Sequence, residues 1–291
     1  MSAWRDGWRR WRGNRMAAAS GVVFAVIALG CVVGPVIAGA VGVDGTTIDP
    51  GLGATPPGAA HWFGTDTLGR DLLVRVMIGG RIALLVMVVT TLIAVAIGVS
   101  YGAIAAYAGG AIDGVMMRVV DALYGFPTVA FIIVVMAVLG SRSLVALFAL
   151  IGAISWLTMA RITRGQVLSV RRREFVEAAR ALGVPPGRIL VRHVLPSAAG
   201  PVIVYATLAL PQVMITEAFL SFLGLGVQAP LASWGTLVTE GSTQIVVYPW
   251  LLVFPAAVMA IAIVSLNFIG DGVRDALDPR TVSRGTAPRP G

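Results

Sequence analysis

The apolar positions of this chain fall in six long blocks, approximately Ala17 to Val41, Arg81 to Ala106, Met117 to Leu139, Leu144 to Arg161, Ala198 to Phe222 and Tyr248 to Ile269. Short polar or arginine-bearing stretches separate them. A hydrocarbon core about 30 Å thick is crossed by roughly 20 helical residues, so each block predicts one membrane-spanning helix. Pro127 and Pro211 lie inside the third and fifth blocks and predict kinks there, which a membrane helix tolerates when its neighbours satisfy the freed carbonyl. Ala94, Gly98, Gly102 and Ala106 recur every four positions, which puts small residues on one face of the second span, where another helix backbone can approach closely. The expected fold is all-α and polytopic.

The first block begins after an arginine-rich start and ends near Ala38-Gly39-Ala40, as a signal peptide does. Its length exceeds the 7 to 15 or so residues of a signal core, and five more spans follow, so it is expected to stay as a helix. With the N-terminus cytoplasmic, the inner segments hold Arg5, Arg9, Arg10, Arg12 and Arg15, then Arg118, then eight arginines from Arg161 to Arg192, then Arg274, Arg280, Arg284 and Arg289. The outer segments keep only Arg70, Arg75, Arg81 and Arg142. The positive-inside rule therefore predicts both termini in the cytoplasm. The chain divides into a cytoplasmic tail (1–16), the first span (17–41), an extracytoplasmic segment (42–80), a core of five spans (81–278) with an inner loop (163–195), and a tail (279–291). The proline-, glycine- and arginine-rich end, from Thr281 on, is expected to be disordered or attached to a cytosolic surface.

Composition agrees, with 57% apolar and 12% charged residues. The formal charge of +8 sits between apolar blocks, where it sets topology, and nucleic acid is a poor expectation. All basic residues are arginines, which excludes a Walker A loop and a Schiff-base lysine; any ATP must be bound by another chain. The single cysteine, Cys31, lies in the first block and reads as a small buried apolar residue. His61 and His193 stand far apart without a metal-binding pattern, and no Gly-x-Ser-x-Gly elbow is present. No metal site and no catalysis are expected.

The inner loop is the richest segment. Glu174 to Leu182 reads as a short helix with Phe175, Ala178, Ala179 and Leu182 on one face. Gly183 suits the left-handed residue that ends a helix, and Pro185-Pro186 suit the start of a second one through Ile189 to Val194. Such an elbow either lies on anionic lipid or docks a cytosolic partner, and two helices at a fixed turn favour docking. In the fifth span, Glu217 either lines a gate or is satisfied by the following loop. That loop, Gly224 to Val247, is expected to be a non-helical segment folded over the outer mouth; the alternative is a surface loop with an interfacial tryptophan. Asp66, Arg70, Asp71 and Arg75 are spaced for an ion-pair ladder within a helical turn, serving as an anchor or as a receptor contact.

Glu177-Ala178-Ala179, Gly183 and Leu195-Pro196 resemble the EAA loop of permease subunits in binding-protein-dependent ABC importers. The general pattern favours isoleucine where His193 stands, but Arg192-His193-Val194-Leu195-Pro196 is similar to the peptide and nickel branch. Phe63-Gly64-Thr65-Asp66 with Gly69-Arg70-Asp71 and Arg75, Leu220 to Gln228 with Ser233-Trp234-Gly235, and Gly270 to Arg280 resemble DppC/OppC-type permeases.

The resemblance implies a type I importer permease fold in the bacterial cytoplasmic membrane. It also implies a sister DppB/OppB-like permease, two ABC ATPase domains carrying ATP and magnesium, and an extracytoplasmic solute-binding protein, besides membrane lipid. Short peptides are the implied substrate, with nickel, haem or glutathione as alternatives on the same scaffold. A self-sufficient secondary transporter or channel is the alternative of another class. Glu177, Ala178, Ala179, Gly183, Pro186, Ile189, Arg192 and His193 are then expected to couple to the ATPase, and Glu217, Phe222, Gln228 and Trp234 to line the gate or path. Asp66, Gly69, Arg70, Asp71 and Arg75 form the outer motif.

Overall fold

A computed structural model describes residues 11, 13–140 and 143–277. The C-terminal tail from Thr281 and the closing Asp278-Pro279-Arg280 lie outside the described residues. The helices are α1 (Arg15–Ala40), α2 (Leu72–Ala108), α3 (Gly110–Tyr124), α4 (Thr128–Leu139), α5 (Leu144–Val170), α6 (Glu174–Ala181), α7 (Pro186–Ile189), α8 (Leu195–Phe222), α9 (Trp234–Thr243) and α10 (Trp250–Leu277), with a π-helical turn over Leu190–Val194. Five stretches (α1, α2, α5, α7 through α8, and α10) are long and apolar enough to cross a membrane. The α3–α4 pair makes a sixth if counted as one span. Among the described residues there is no strand, only an isolated bridge between Thr65 and Asp71.

The second span starts nine residues before the predicted Arg81. Asp71 caps it by accepting from the Val74 N–H at 2.9 Å, and the charges that disguised its first turns are paired or pointed at carbonyls. Arg81 itself donates from Nε to Cys31 O at 2.8 Å and from Nη2 to Val32 O. Cys31 O is the carbonyl that Pro35, lacking an N–H, cannot serve four residues later. An arginine of α2 thus supplies the donor missing from α1.

The third block is corrected. It forms two helices bent by 82° rather than one kinked span, beginning at Gly110 rather than Met117. Pro127 brings no N–H and biases Phe126 away from helical angles, so α3 stops at Tyr124 and α4 starts anew with extended Pro127 as its cap. Pro211, in contrast, sits inside an unbroken α8. The predicted end of the fourth block at Arg161 moves to Val170, and the sixth helix runs to Leu277 instead of Ile269.

The small-residue face of α2 is its seam with α5. A Cβ on Gly102 would stand 2.2 Å from Ala160 O, and one on Gly98 2.7 Å from Trp156 O. Ala94 and Ala106 are buried on the same face. Helix α1 packs on α10 and α2, while α8 lies against α2, α5 and α10. The loops gather at two ends. One joins Asn14 to Asp275 (3.5 Å) and Arg171 Nη1 to Ala106 O, and the elbow is built here; the other joins Trp250 Nε1 to Thr65 O (3.2 Å).

Candidate translocation path and coupling elbow

At the arginine-rich end, α6 buries Val176 and Ala179 against Ala103, Val167, Ile189 and Val194. Gly183, at φ +74°, ends the helix in a Schellman arrangement: its N–H reaches Arg180 O (2.9 Å) and that of Val184 reaches Ala179 O (3.1 Å). The predicted apolar face is divided. Ala179 turns inward, whereas Phe175, Ala178 and Leu182 are exposed, Leu182 to 82%. Ile189 is fully buried, so it holds the elbow to the bundle, and Val191, 66% exposed, takes the outward position. Glu177, Pro186 and Arg192 are exposed and His193 is half-buried. The second elbow helix is no separate piece: it passes through the π turn, closed by Leu195 N–H on Leu190 O, straight into α8. The second elbow helix is therefore continuous with a membrane-spanning helix, with no intervening loop.

At the other end, Asp66 receives Arg70 Nε and Arg75 Nη1, both at 2.7 Å, and Arg75 also reaches Glu240 at 3.0 Å. The ladder is corrected in form: Asp66 lies in a turn before the helix, and Asp71 pairs with His61 (2.9 Å) while capping α2. Gly69, at φ +75°, packs so tightly that a Cβ would stand 2.1 Å from Asp49 O.

The outer segment from Gly224 is also corrected, because it contains α9. Ser233 and Thr236 form a reciprocal capping box that starts this helix. Trp234 is fully buried and donates from Nε1 to Val76 O at 2.9 Å, so it is neither an interfacial tryptophan nor a lining residue. Glu217 is buried beside it, its Oε1 accepting from Ser221 Oγ (2.8 Å) and Ser233 Oγ (2.7 Å), which is satisfaction by the following loop. Gln228 folds onto Gly226 O at 2.8 Å, and Phe222 is exposed.

Sequence reasoning missed a cavity of about 360 Å³ half-way along the spans, walled by α2, α5 and α8 with the α3–α4 bend. Its polar lining consists of Thr91, Tyr124, Thr128, Ser155, Thr158, Tyr205, Gln212 and Thr216, and no charged side chain lines it. Thr91 Oγ1 is buried without a hydrogen-bond partner. These residues come from separate elements and each alone is an ordinary hydroxyl or amide. The available signal was their helical spacing, Ser155 with Thr158 and Gln212 with Thr216. Beyond the cavity, Arg161 pairs with Asp121 at 2.7 Å and Arg164 with Asp113 at 2.6 Å.

Comparison with known proteins matches residues 98–283 to the family described as binding-protein-dependent transport system inner membrane component. Residues 2–51 match the N-terminal TM domain of oligopeptide transport permease C. The chain is 47% identical over 279 residues to the oligopeptide transport system permease protein OppC of Escherichia coli K12, covering 96% of this chain and 92% of that one. It is 46% identical to the OppC protein of Haemophilus influenzae over 96% of this chain and 89% of the other. It is 40% identical to the dipeptide transport system permease protein DppC of Bacillus subtilis, over 96% and 87% respectively.

Proposed function

Because the chain belongs to the binding-protein-dependent transport system inner membrane components, we propose that it forms half of a path for short peptides across the inner membrane, driven by ATP hydrolysed on partner subunits. It is a multi-pass, non-catalytic permease subunit of an ABC importer. The observation that carries the peptide reading is the cavity lining. Hydroxyl and amide groups without a fixed charge match the N–H and C=O groups common to all peptides and leave side chains unselected.

The sister permease closes the other side of the cavity. A solute-binding protein delivers peptide at the end formed by α9 and residues 42–71, and one of the two ATPase domains docks on the exposed Phe175, Ala178, Leu182 and Val191. The elbow end is the cytoplasmic one in this reading, which the arginine distribution supports. ATP drives the cycle only through its differential affinity for the closed ATPase pair, and the unbroken α7–α8 connection conveys that difference to the Tyr205–Gln212 wall. Gating by the segment around Phe222, Gln228 and α9 belongs to the same reading.

Reconstituted complexes carrying Gln212→Leu with Tyr205→Phe test the lining. Uptake of a labelled tripeptide is expected to fall about tenfold, the worth of one or two hydrogen bonds, while the binding protein's affinity for peptide stays unchanged. Unaltered uptake would remove the cavity from the path.

A further inference from the structure

Ser155, Thr158 and Arg161 follow one another at three-residue steps along α5, and so lie on one stripe of that helix. The first two line the cavity; Arg161 comes next toward the elbow end. Its guanidinium carbon sits 4.2 Å from the centroid of the Tyr124 ring, and the Tyr124 hydroxyl meets Thr158 Oγ1 across the wall. The cation thus rests on a cavity-lining ring at the inner rim of the path.

Two neighbouring arginines are held very differently. Arg164 places Nε and Nη2 on the two oxygens of Asp113, at 2.6 and 2.7 Å, and that carboxylate is only 13% exposed. Its fork is filled. Arg161 gives Asp121 a single contact from Nη2, with the two side chains 43% and 62% exposed, and its other N–H groups have no acceptor among the described residues. An exposed one-point ion pair is weak and exchanges readily, whereas the vacant N–H groups offer a second carboxylate a two-point contact.

Resting on the peptide reading above, we propose that Arg161 takes the C-terminal carboxylate of the transported peptide at the inner exit of the path, displacing Asp121, which recaptures the guanidinium when the peptide leaves. The neutral cavity holds the peptide's amides while its one invariant anion is held at the rim. Exchange between one carboxylate and another is close to balanced, so the site orients the peptide without trapping it. A charge-bearing rim behind an uncharged cavity also places the cation where water reaches it.

The experiment uses the whole complex, with sister permease, ATPases and binding protein, in proteoliposomes. The probe is a tripeptide with uncharged side chains, supplied as the free acid and as the C-terminal amide, both first shown to load the binding protein. With Arg161→Gln, uptake of the free acid is expected to fall about tenfold and that of the amide to stay at the wild-type rate. Arg161→Lys is expected to retain most of the free-acid uptake. Equal slowing of both peptides, as lost packing or a lost contact to the sister permease would cause, overturns the proposal, and so does no change in either. Should Arg161→Gln fail to assemble, Asp121→Asn decides. Removing the competing carboxylate must lower the concentration of free acid needed for half-maximal uptake and leave the amide's unchanged; an unchanged value for both overturns the proposal. Wild-type complexes that import neither peptide would instead refute the peptide reading itself.

Discussion

The two ends of this molecule solve the same problem, a chain reversal outside the lipid, in opposite ways. At the outer end the charged and polar groups named here are paired internally: Asp66, Arg70, Arg75 and Glu240 neutralise one another, Asp71 caps α2, and Trp234 is buried with its N–H bonded. At the elbow end, a few buried residues, Val176, Ala179, Ile189 and Val194, hold the reversal in place while Phe175, Leu182 and Val191 face outward unpaired. The matched glycines make the contrast quantitative. Gly69 and Gly183 have nearly the same left-handed φ, +75° and +74°, but a Cβ on Gly69 would collide with Asp49 O and one on Gly183 would meet nothing within 4 Å. Both ends leave apolar side chains exposed, Trp62 and Val246 at the outer end and Leu182 and Val191 at the elbow, so the contrast lies in the tightly packed turn and internally paired charges of the one and the open turn of the other.

The largest effect expected from this comparison is Gly69→Ala, where the steric collision adds to the left-handed penalty and costs about 3 kcal/mol. Gly183→Ala, with the backbone penalty alone, costs about 1 kcal/mol. Thermal unfolding of the purified complexes checks the order, and equal losses would break the comparison. Arg75→Met comes close behind Gly69→Ala. It leaves Asp66 buried with only Arg70 and Glu240 unpaired, and is expected to cost about 3 kcal/mol in the same measurement.

At the elbow, stability and coupling are expected to separate. Gly183→Val strains the turn further, and it should lower transport and substrate-stimulated ATP hydrolysis together in complexes that still co-purify; Glu177→Ala should do so less. Phe175→Ser removes a half-exposed ring, so unfolding is expected to shift by only about 1 kcal/mol while ATPase stimulation drops. Wild-type stimulation in the Phe175 variant would mean that the exposed face has no partner.

The smallest effect concerns Asp44. Hydroxyl donors from Thr47 and Thr46, with the Thr46 N–H, hold its carboxyl below the ordinary carboxylate range. A lowered folded value means that its contribution is complete above the unfolded pKa and is lost only as pH falls through the folded one. Acidification from neutral pH to about 5 should therefore leave this turn intact, which amide exchange of Thr46 and Thr47 would report.

Much of this arrangement was legible in the sequence, and the parts that were not share a cause. Block length located the spans, and the small-residue spacing located the α2 face that meets α5, because both depend on local composition. The start of α2 was hidden because Arg75 and Arg81 look like loop residues until Asp66, Glu240 and the carbonyls of α1 are brought to them from up to 165 positions away. Helix α9 was hidden because its capping box uses Thr236 where the familiar pattern has glutamate, and because the helix is too short to form an apolar block. Pro127 was visible, but neither it nor Pro211 announces whether neighbours will carry the helix through. The outward face of the elbow was misjudged at Ala179 and Ile189, since only the packing against α2 and α5 tells which side of so short a helix is covered. The cavity depends on five separate helices and was not legible at all.

Whether the ATPase covers the elbow's exposed apolar face is decided by thiol accessibility in a Cys31→Ser background. Cysteines at Leu182 on the elbow and Leu68 on the outer loop are labelled in opened membranes containing the whole complex, before and after the ATPase subunits are stripped away. Leu182→Cys is expected to be protected until the ATPases are removed, whereas Leu68→Cys labels equally in both. Equal labelling of Leu182→Cys with and without bound ATPase would contradict that coverage.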